Sequence, residues 1–510
     1  MFQGKNYING MFIREAQDGF TPLTPTEHFD AINPSTEEVY GSFPISSESV
    51  VHHAVQVARV AFQKWKSESR VQRAEHFHRL SKLIEDNHSQ LQKAISIETG
   101  KNLNESHAEV MEALHMCQVT AAMGRQPIGE VVASELATKD AYVVRKPRGV
   151  VAIVSPWNFP LAIGSFWCSG PTLVEGNTVV HKPSELTPMV NQMVAELYAQ
   201  AGFPPGVFNL IHGDGSTGAA LVRSAVDVIL FTGSAEVAQD IKQHCATTFT
   251  KTCSVEAGSK SATMVFEDGN INLALEVTLA SAFKLSGQRC VSSGRILVQR
   301  SIFDDFCERF TEAVRTRVKV GDPFAWGQHG NQIWYGPLIS AEHHARVHAM
   351  NNLVRHDENA VVLYDPDYVE GSLKTTEGWP GFYMRPLVYK CEWMDKPFLK
   401  QEVFGPHVAL IPFNDVDDAI RIYNDTDYGL ALGVVTDDYR KHRKLAQECT
   451  TGMLYINGGS IAAESHLPFS SWKKSGFGAS AVATWKAVTH SMAVTVNYEE
   501  GKVSWAQGMK

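Results

Sequence analysis

An α/β protein with two parallel-sheet units is expected from three features of this chain. From residue 150 onward, short apolar runs alternate with helix-length amphipathic stretches, the signature of strand–helix–strand repetition. A second cycle of the same kind begins after about residue 260. The length, 510 residues with 44% hydrophobic and 20% charged, suits two large units or three of about 150 residues, each able to bury its own core.

After a short N-terminal strand region, residues 45–66 open with serines suited to capping and repeat Val51, Val55, Ala58 and Phe62 at helical spacing. Residues 71–94 continue in the same manner, so most of the first hundred residues should be helical. Val131, Val132 and then Tyr142, Val143 and Val144 mark strands between 128 and 148. The first cycle reads as strands VVAIVS, TVVHK, VFNLIHG and VDVILFTGS, with helices near 187–201 and 215–224 between them. In the second, ATMVF, GRILVQ, HVALIPF and LALGVVT are strands, with helices at 271–286 and 301–317. Residues 318–385, rich in Gly, Pro and aromatics, are expected to be mainly long loops, with His344 and His348 on a helical stretch.

The uncharged stretch 149–174 is long enough to cross a bilayer, but Pro156, Asn158, Pro160 and Pro171 interrupt it, and a buried strand, loop and helix start explains it better. The N-terminus carries no basic start followed by an apolar run, so no secretory signal is read. Forty-six Lys+Arg against 55 Asp+Glu gives a net charge of −9, which excludes a global cationic field for nucleic acid or anionic membranes. Small molecules and other subunits are the expected partners. Eight scattered cysteines without a Cys-x-x-Cys pair fit a reduced, cytoplasmic setting. No metal is expected: His344 and His348, like His52, His53, His76 and His78, read as surface histidines.

Cys290, in Ser286-Gly287-Gln288-Arg289-Cys290, has a flexible glycine and a cationic neighbour, which suits a thiolate nucleophile; an inert buried thiol has the same appearance. Glu256 leaves an apolar strand for a Gly/Ser turn, where partial desolvation would make a usable base; a satisfied surface carboxylate is the alternative. Asn158, fixed between Pro156 and Pro160, is an amide that must donate to something, such as a developing oxyanion. Phe231-Thr232-Gly233-Ser234 delivers a helix N-terminus after a strand, a pyrophosphate cradle or an ordinary turn. Lys182-Pro183-Ser184-Glu185 adds a cation and a carboxylate at a neighbouring strand end.

Taken together, PWNFP, KPSE, FTGS, GQRC and EVFGP, in that order along nearly the whole chain, resemble the aldehyde dehydrogenase superfamily, semialdehyde-oxidising members such as the 2-oxoglutaric semialdehyde type included. The resemblance implies a Rossmann-like cofactor domain (1–127 and 149–258), an α/β catalytic domain (259–465) and a β oligomerisation arm (128–148 and 486–500) that pairs subunits into a dimer or tetramer. It implies Cys290 as nucleophile, Glu256 as general base and Asn158 as oxyanion donor. Cofactor contacts fall on Ser155, Trp157, Lys182, Ser184, Glu185, Gly233, Ser234, Glu402 and Phe404. A carboxylate beside the ribose hydroxyls repels a 2′-phosphate, so Glu185 tilts the expectation toward NAD over NADP.

The chain departs from the family pattern in places. Glu256-Ala257-Gly258-Ser259-Lys260 replaces Glu-Leu-Gly-Gly-Lys, Ala238 replaces a helix glycine, Gln401 a glutamate, and Ser470-Ser471 a glycine pair, changes that bear on cofactor packing. Phe159, Ile163, Phe166 and Phe469 match substrate-tunnel positions and suit an aliphatic or aromatic aldehyde. Lys284 stands where semialdehyde-oxidising relatives often carry arginine and, with Arg289 as a further substrate candidate, would instead clamp the far carboxylate of an ω-semialdehyde; a helix-surface lysine is the alternative. Acyl transfer to a thiol such as coenzyme A, and a catalytically silent cofactor-binding homologue, are the alternative functions.

Overall fold

Eight strands form the first sheet, in the order Gly476–Phe477, Thr252–Glu256, Val228–Thr232, Val150–Val154, Thr178–Lys182, Phe208–Leu210, Asn6–Ile8 and Met11–Ile13. The five central strands are parallel, and the chain lays down three of them outward from Val150–Val154 before returning to its other side with Val228–Thr232. That reversal opens a crevice between the two strand ends, where Ser155 follows one strand and Gly233 the other. The central strands are buried on both faces, which is why they read as continuous apolar runs.

The second sheet has seven strands, ordered Val361–Tyr364, Leu387–Lys390, His407–Phe413, Arg295–Gln299, Ala262–Val265, Ala431–Val435 and Met453–Ile456. All neighbours are parallel except the edge pair Val361–Tyr364 and Leu387–Lys390. Apart from this sheet, Thr489–Asn497, Lys139–Pro147 and Gly129–Val132 make an antiparallel three-stranded arm. This computed structural model describes residues 1–13, 27–327, 332–369, 372–373, 380–461, 463–501 and 504–505.

The helices follow from caps and buried faces. Glu48–Trp65 buries Val51, Val55, Ala58 and Phe62 together with Trp65. Arg70–Asp86 begins with a reciprocal capping box between Ser69 and Gln72. His88–Thr99 stops at Gly100, whose φ of 71° supplies the left-handed turn. Leu103–Met123 starts on the Asn102 side chain, which accepts from the Glu105 amide. The stretch 149–174 divides into a strand, a loop, a π-helical turn Ile163–Cys168 and the helix Ser169–Val174. Among the described residues no helix is long and apolar enough to cross a membrane.

Three expectations need correction. Residues 318–385 are not loop throughout: Ala341–Arg355 is a long helix, capped by Ser340 and burying His343, Val347, Asn351 and Val354 at helical spacing, although part of this region lies outside the described residues. The helix expected at 271–286 ends at Phe283, because Leu285 and Ser286 take left-handed φ values of 54° and 55°. His76 is half-buried rather than a free surface group; its ring packs on Trp65 and Phe203 at centroid distances of 5.5 and 4.8 Å.

Arg295 joins the second sheet to the loops above it. Fully buried at the start of its strand, it donates to the carbonyls of Lys260 (2.6 Å), Ile422 (3.0 Å) and Tyr423 (3.4 Å). Burial lowers its pKa to about 10, so the guanidinium stays charged at neutral pH, and each of its three nitrogens donates to a carbonyl oxygen. Arg295→Ala strands those carbonyls, and urea denaturation should show a loss of about 3 kcal/mol or more; a loss under about 1 kcal/mol would show that water replaces the guanidinium.

Candidate active site

Cys290 follows a left-handed turn. Leu285, Ser286 and Gly287 all have positive φ, a conformation costing about 1–2 kcal/mol per non-glycine residue. Side chains from elsewhere hold it. The Leu285 amide donates to Glu105 Oε1 at 2.6 Å, and Ser286 Oγ donates to the Gly336 carbonyl at 2.9 Å. Gln288 Oε1 accepts from the Ile339 amide at 3.0 Å. Gly287 has a second reason to be glycine, since a Cβ there would lie 2.2 Å from the Gly405 carbonyl oxygen.

The Asn158 loop is held in the same way. Leu161 and Ala162 amides donate to Glu109 Oε1 at 2.8 and 3.2 Å. Asn158 Nδ2 donates to the Gln288 carbonyl at 3.1 Å, which ties the amide to the cysteine loop and leaves its second N–H available. Glu105 and Glu109 are one helical turn apart on Leu103–Met123. Their charges are met by Arg289, 3.5 Å from Glu105, and by Lys101, whose ammonium bonds Glu109 with both side chains fully buried. Phe159 lies against both cations, with Lys101 Nζ 3.9 Å and Arg289 Cζ 5.3 Å from its centroid. Glu105 and Glu109 were missed in the sequence, where the four-residue spacing of Lys101, Glu105 and Glu109 was the available signal.

A cleft of about 470 Å³ joins these loops to the crevice of the first sheet. Trp157, Asn158, Ile163, Gly233, Ser234, Cys290, Glu402 and Phe404 all line it. Ser234 caps the helix Ala235–Ala246 by accepting from the Val237 amide at 3.3 Å, so that helix turns its free N–H groups toward the cleft. Trp157 meets Phe404 edge to face at 5.4 Å. His343 Nε2 is 2.7 Å from the Phe404 carbonyl and holds that residue at a φ of 59°. Burial lowers the His343 pKa to about 4, so the ring is neutral and donates through Nε2. Gln401, beside Glu402, lines the cleft as its place in the motif suggested, whereas His343, Arg346 and Tyr428 belong to the cleft or its wall and went unrecognised, because their helix and loop are distant in the chain.

Lys182 and Glu185 pair at 3.2 Å at the end of the next strand, and Ser184 Oγ accepts from the Leu186 amide at 3.2 Å. Ser155 is buried, its hydroxyl 2.7 Å from His181 Nε2. An extended dinucleotide fits these donors: N–H groups for a pyrophosphate, and carboxylates at both ends for ribose hydroxyls. Gly258 gives close access, since a Cβ there would lie 2.3 Å from Glu402 Oε2.

Electrostatics at the centre disfavour charge. Burial, then Glu402 and Glu256, push the Cys290 thiol up to about 12, against the N–H groups of Val291 and Cys290 itself. Burial raises Glu402 to about 7 and Glu256 well above the carboxylate range. Both Glu256 oxygens are buried without a hydrogen bond, and the Ser471 hydroxyl lies near enough to lower its pKa slightly without completing one. Glu256 faces a small cavity lined by Cys168, Thr232, Ser254, Ser480 and Thr484, with room for about one water.

The remaining substrate candidates divide. Ile163 lines the cleft and Phe159 is half-buried, whereas Phe469 packs on Trp167 at 5.2 Å. Phe166 is fully buried against Tyr198, so it offers a substrate no surface. Lys284 does not reach the cleft; its ammonium sits 4.6 Å from the Trp334 centroid, drawn aside by the ring. Among the described residues no cluster of side chains could hold a metal ion.

Comparison with known proteins places the chain in a family. The profile described as "Aldehyde dehydrogenase family" matches residues 20–494. An aldehyde dehydrogenase (NAD(P)+) 2 of Saccharomyces cerevisiae is 33% identical, covering 92% of this chain and 91% of the relative. A 2-aminomuconic semialdehyde dehydrogenase of Bos taurus is 33% identical over 93% of this chain and 94% of its own. The crystal structure of betaine aldehyde dehydrogenase from Staphylococcus aureus in complex with NAD+ superposes with a TM-score of 0.88 at 28% identity, covering 98% of this chain and 96% of that one. With the profile spanning nearly its whole length and relatives matched end to end, this chain belongs to the aldehyde dehydrogenase family.

Proposed function

We propose that Cys290, Asn158 and Glu256 carry the NAD(P)-dependent oxidation of an aldehyde to its carboxylic acid that defines the family. The observation that carries this reading is the convergence of Cys290 and Asn158 with the Ser234 helix end, Glu402 and Phe404 on one cleft. The Cys290 thiol gives its proton to solvent and the thiolate Sγ bonds to the aldehyde carbon, giving a thiohemiacetal in its oxyanion form. Its oxyanion is held by the free N–H of Asn158 and the Cys290 amide, donors fixed beforehand by Gln288 and the Glu105 turn. Hydride acceptance, as the adduct collapses to the thioester, is the chemistry the bound nicotinamide supplies. Glu256, once its own proton has passed to solvent, takes a proton from water as its carboxylate, the water oxygen bonds to the acyl carbon, and the C–S bond breaks to release the acid and return the thiolate. A base so well desolvated favours hydrolysis over acyl transfer to coenzyme A, and an intact nucleophile, base and oxyanion donor speak against a silent homologue.

Residues 1–127 and 149–258 would hold the cofactor and 259–465 the catalytic face. Ile163 on the cleft, with half-buried Phe159 one turn before it, suits a medium aliphatic or aromatic aldehyde, while Phe469 packs on Trp167 away from the cleft lining. Lys284, lodged on Trp334, gives the ω-semialdehyde reading no support, and the relatives' names span an acidic and a cationic substrate, so they do not choose between classes. The described cysteines are all unpaired thiols, in keeping with a reduced cytoplasmic setting.

Cys290→Ala should abolish reduced-cofactor formation at 340 nm across an aldehyde panel that includes hexanal, benzaldehyde and succinic semialdehyde, while cofactor affinity stays within about twofold. Retained turnover would reject Cys290 as nucleophile.

NAD is favoured over NADP because Glu185, two-fifths exposed beside Lys182, would face a 2′-phosphate with like charge. Glu185→Gln should raise the NADP-to-NAD ratio of kcat/KM by about tenfold; an unchanged ratio would count against the assignment.

Self-association through the arm is supported by its exposed apolar side chains, Val131 at 92%, Val132 at 46% and Met492 at 37%. Light scattering at micromolar protein should give a dimer or tetramer, and a monomer would contradict it.

A further inference from the structure

Ser259 stands where the family pattern has glycine, and its hydroxyl and amide both reach the reaction centre. Ser259 is buried in the loop that leads from Glu256 to the strand Ala262–Val265. Its hydroxyl donates to the Cys290 carbonyl, while its amide donates to Glu402 Oε1 at 2.7 Å. Behind it, Ser261 Oγ is 2.8 Å from Ser259 Oγ, and the Ser261 amide donates to Ser259 Oγ at 3.2 Å. Ser261 Oγ in turn accepts from the Ala431 amide at 3.3 Å, which anchors the row to the second sheet.

We infer that Ser259 is a positioning residue for the nucleophile, the last member of a hydrogen-bonded row running from the Ala431 amide through Ser261 and Ser259 to the Cys290 carbonyl. The Cys290–Val291 peptide transmits the effect. Donation to its carbonyl withdraws electrons from its N–H, and the Val291 N–H is one of the two backbone donors that favour the ionised sulfur. The same serine fixes Glu402 through its amide, so the nucleophile loop and the carboxylate that serves the cofactor share one support.

The other groups around Cys290 do not duplicate this role. Glu402 and Glu256 oppose ionisation of the thiol. Arg289, next in the chain, is turned to Glu105, and Lys260 gives its ammonium to the Phe398 carbonyl at 2.9 Å. Tyr455 faces Cys290 as a neutral phenol, raised to about 12 by burial. The Ser259 row is thus the support that acts on the thiol through its own peptide.

This inference rests on Cys290 as nucleophile, and alkylation separates the two. In the wild-type protein without cofactor, the rate of Cys290 alkylation by iodoacetamide should climb about tenfold per pH unit between pH 7 and 9, because the thiol is held above that window and only the thiolate displaces iodide. Ser259→Ala and Ser259→Gly should give parallel profiles about three- to tenfold lower at every pH, with kcat/KM for aldehyde falling by a similar factor. Ser261→Ala, one step further back, should shift the profile the same way by a smaller amount, and it tests the row even if the Ser259 variants fold poorly. Wild-type alkylation rates in folded Ser259 variants, or in Ser261→Ala where those do not fold, would overturn the inference. Alkylated wild-type protein that still oxidises aldehydes would instead overturn the reading of Cys290, leaving the alkylation profiles to judge the serine row.

Discussion

Two carboxylates on one helix hold the reaction centre together. Glu105 and Glu109, a turn apart on Leu103–Met123, accept from amides of the cysteine loop and of the asparagine loop respectively. Neither loop is regular structure, and the first contains consecutive left-handed residues that would relax elsewhere. Carboxylate-to-amide bonds in a low dielectric are strong, but an unpaired buried carboxylate is costly, so Lys101 and Arg289 come with them. Phe159 then closes over the cations. One charge-balanced cluster therefore sets the distance between Cys290 and Asn158, the proposed nucleophile and oxyanion donor.

The same low dielectric shapes the chemistry. Cys290, Glu256 and Glu402 all resist ionisation in the resting protein, for the common reason that burial removes water from them. A thiol held protonated is protected from casual oxidation and alkylation. A carboxylate held neutral beside room for one water is ready to become a strong base once it loses its proton. Charge must be created at the moment of reaction, and the preorganised donors Asn158, the Cys290 amide and the Val291 amide are what make that affordable.

The sheet supplies the rest of the geometry. Strands laid outward from Val150–Val154 and then back on its other side leave a crevice at their carboxyl ends. The helix after Ser234 begins at its rim, so its N-terminus, the proposed pyrophosphate site, and the Pro156–Asn158 loop face one cleft by topology alone. The second sheet brings Glu402 and Phe404 over this crevice, and Arg295 joins it to the loop after Glu256 through the Lys260 carbonyl.

Periodicity and composition along the chain determined the strands, most helices and the order of motifs, because alternation of apolar runs and capping residues are local properties. Cys290, Asn158, Gly233 and Ser234 were legible for the same reason, each in a short segment whose residue types fit a chemistry, whereas Glu402 and Phe404 followed only from the likeness of EVFGP to the family. Tertiary structure alone decided which polar groups are paired. Lys284 looked like a substrate clamp until Trp334, fifty residues on, took its ammonium, and Phe166 looked like a tunnel wall until Tyr198 covered it. The roles of Glu105, Glu109, His343 and Ser259 likewise appear only when distant backbone amides and carbonyls arrive beside them. Burial and hydrogen-bond partners depend on contacts far apart in the chain, and no window of sequence contains them.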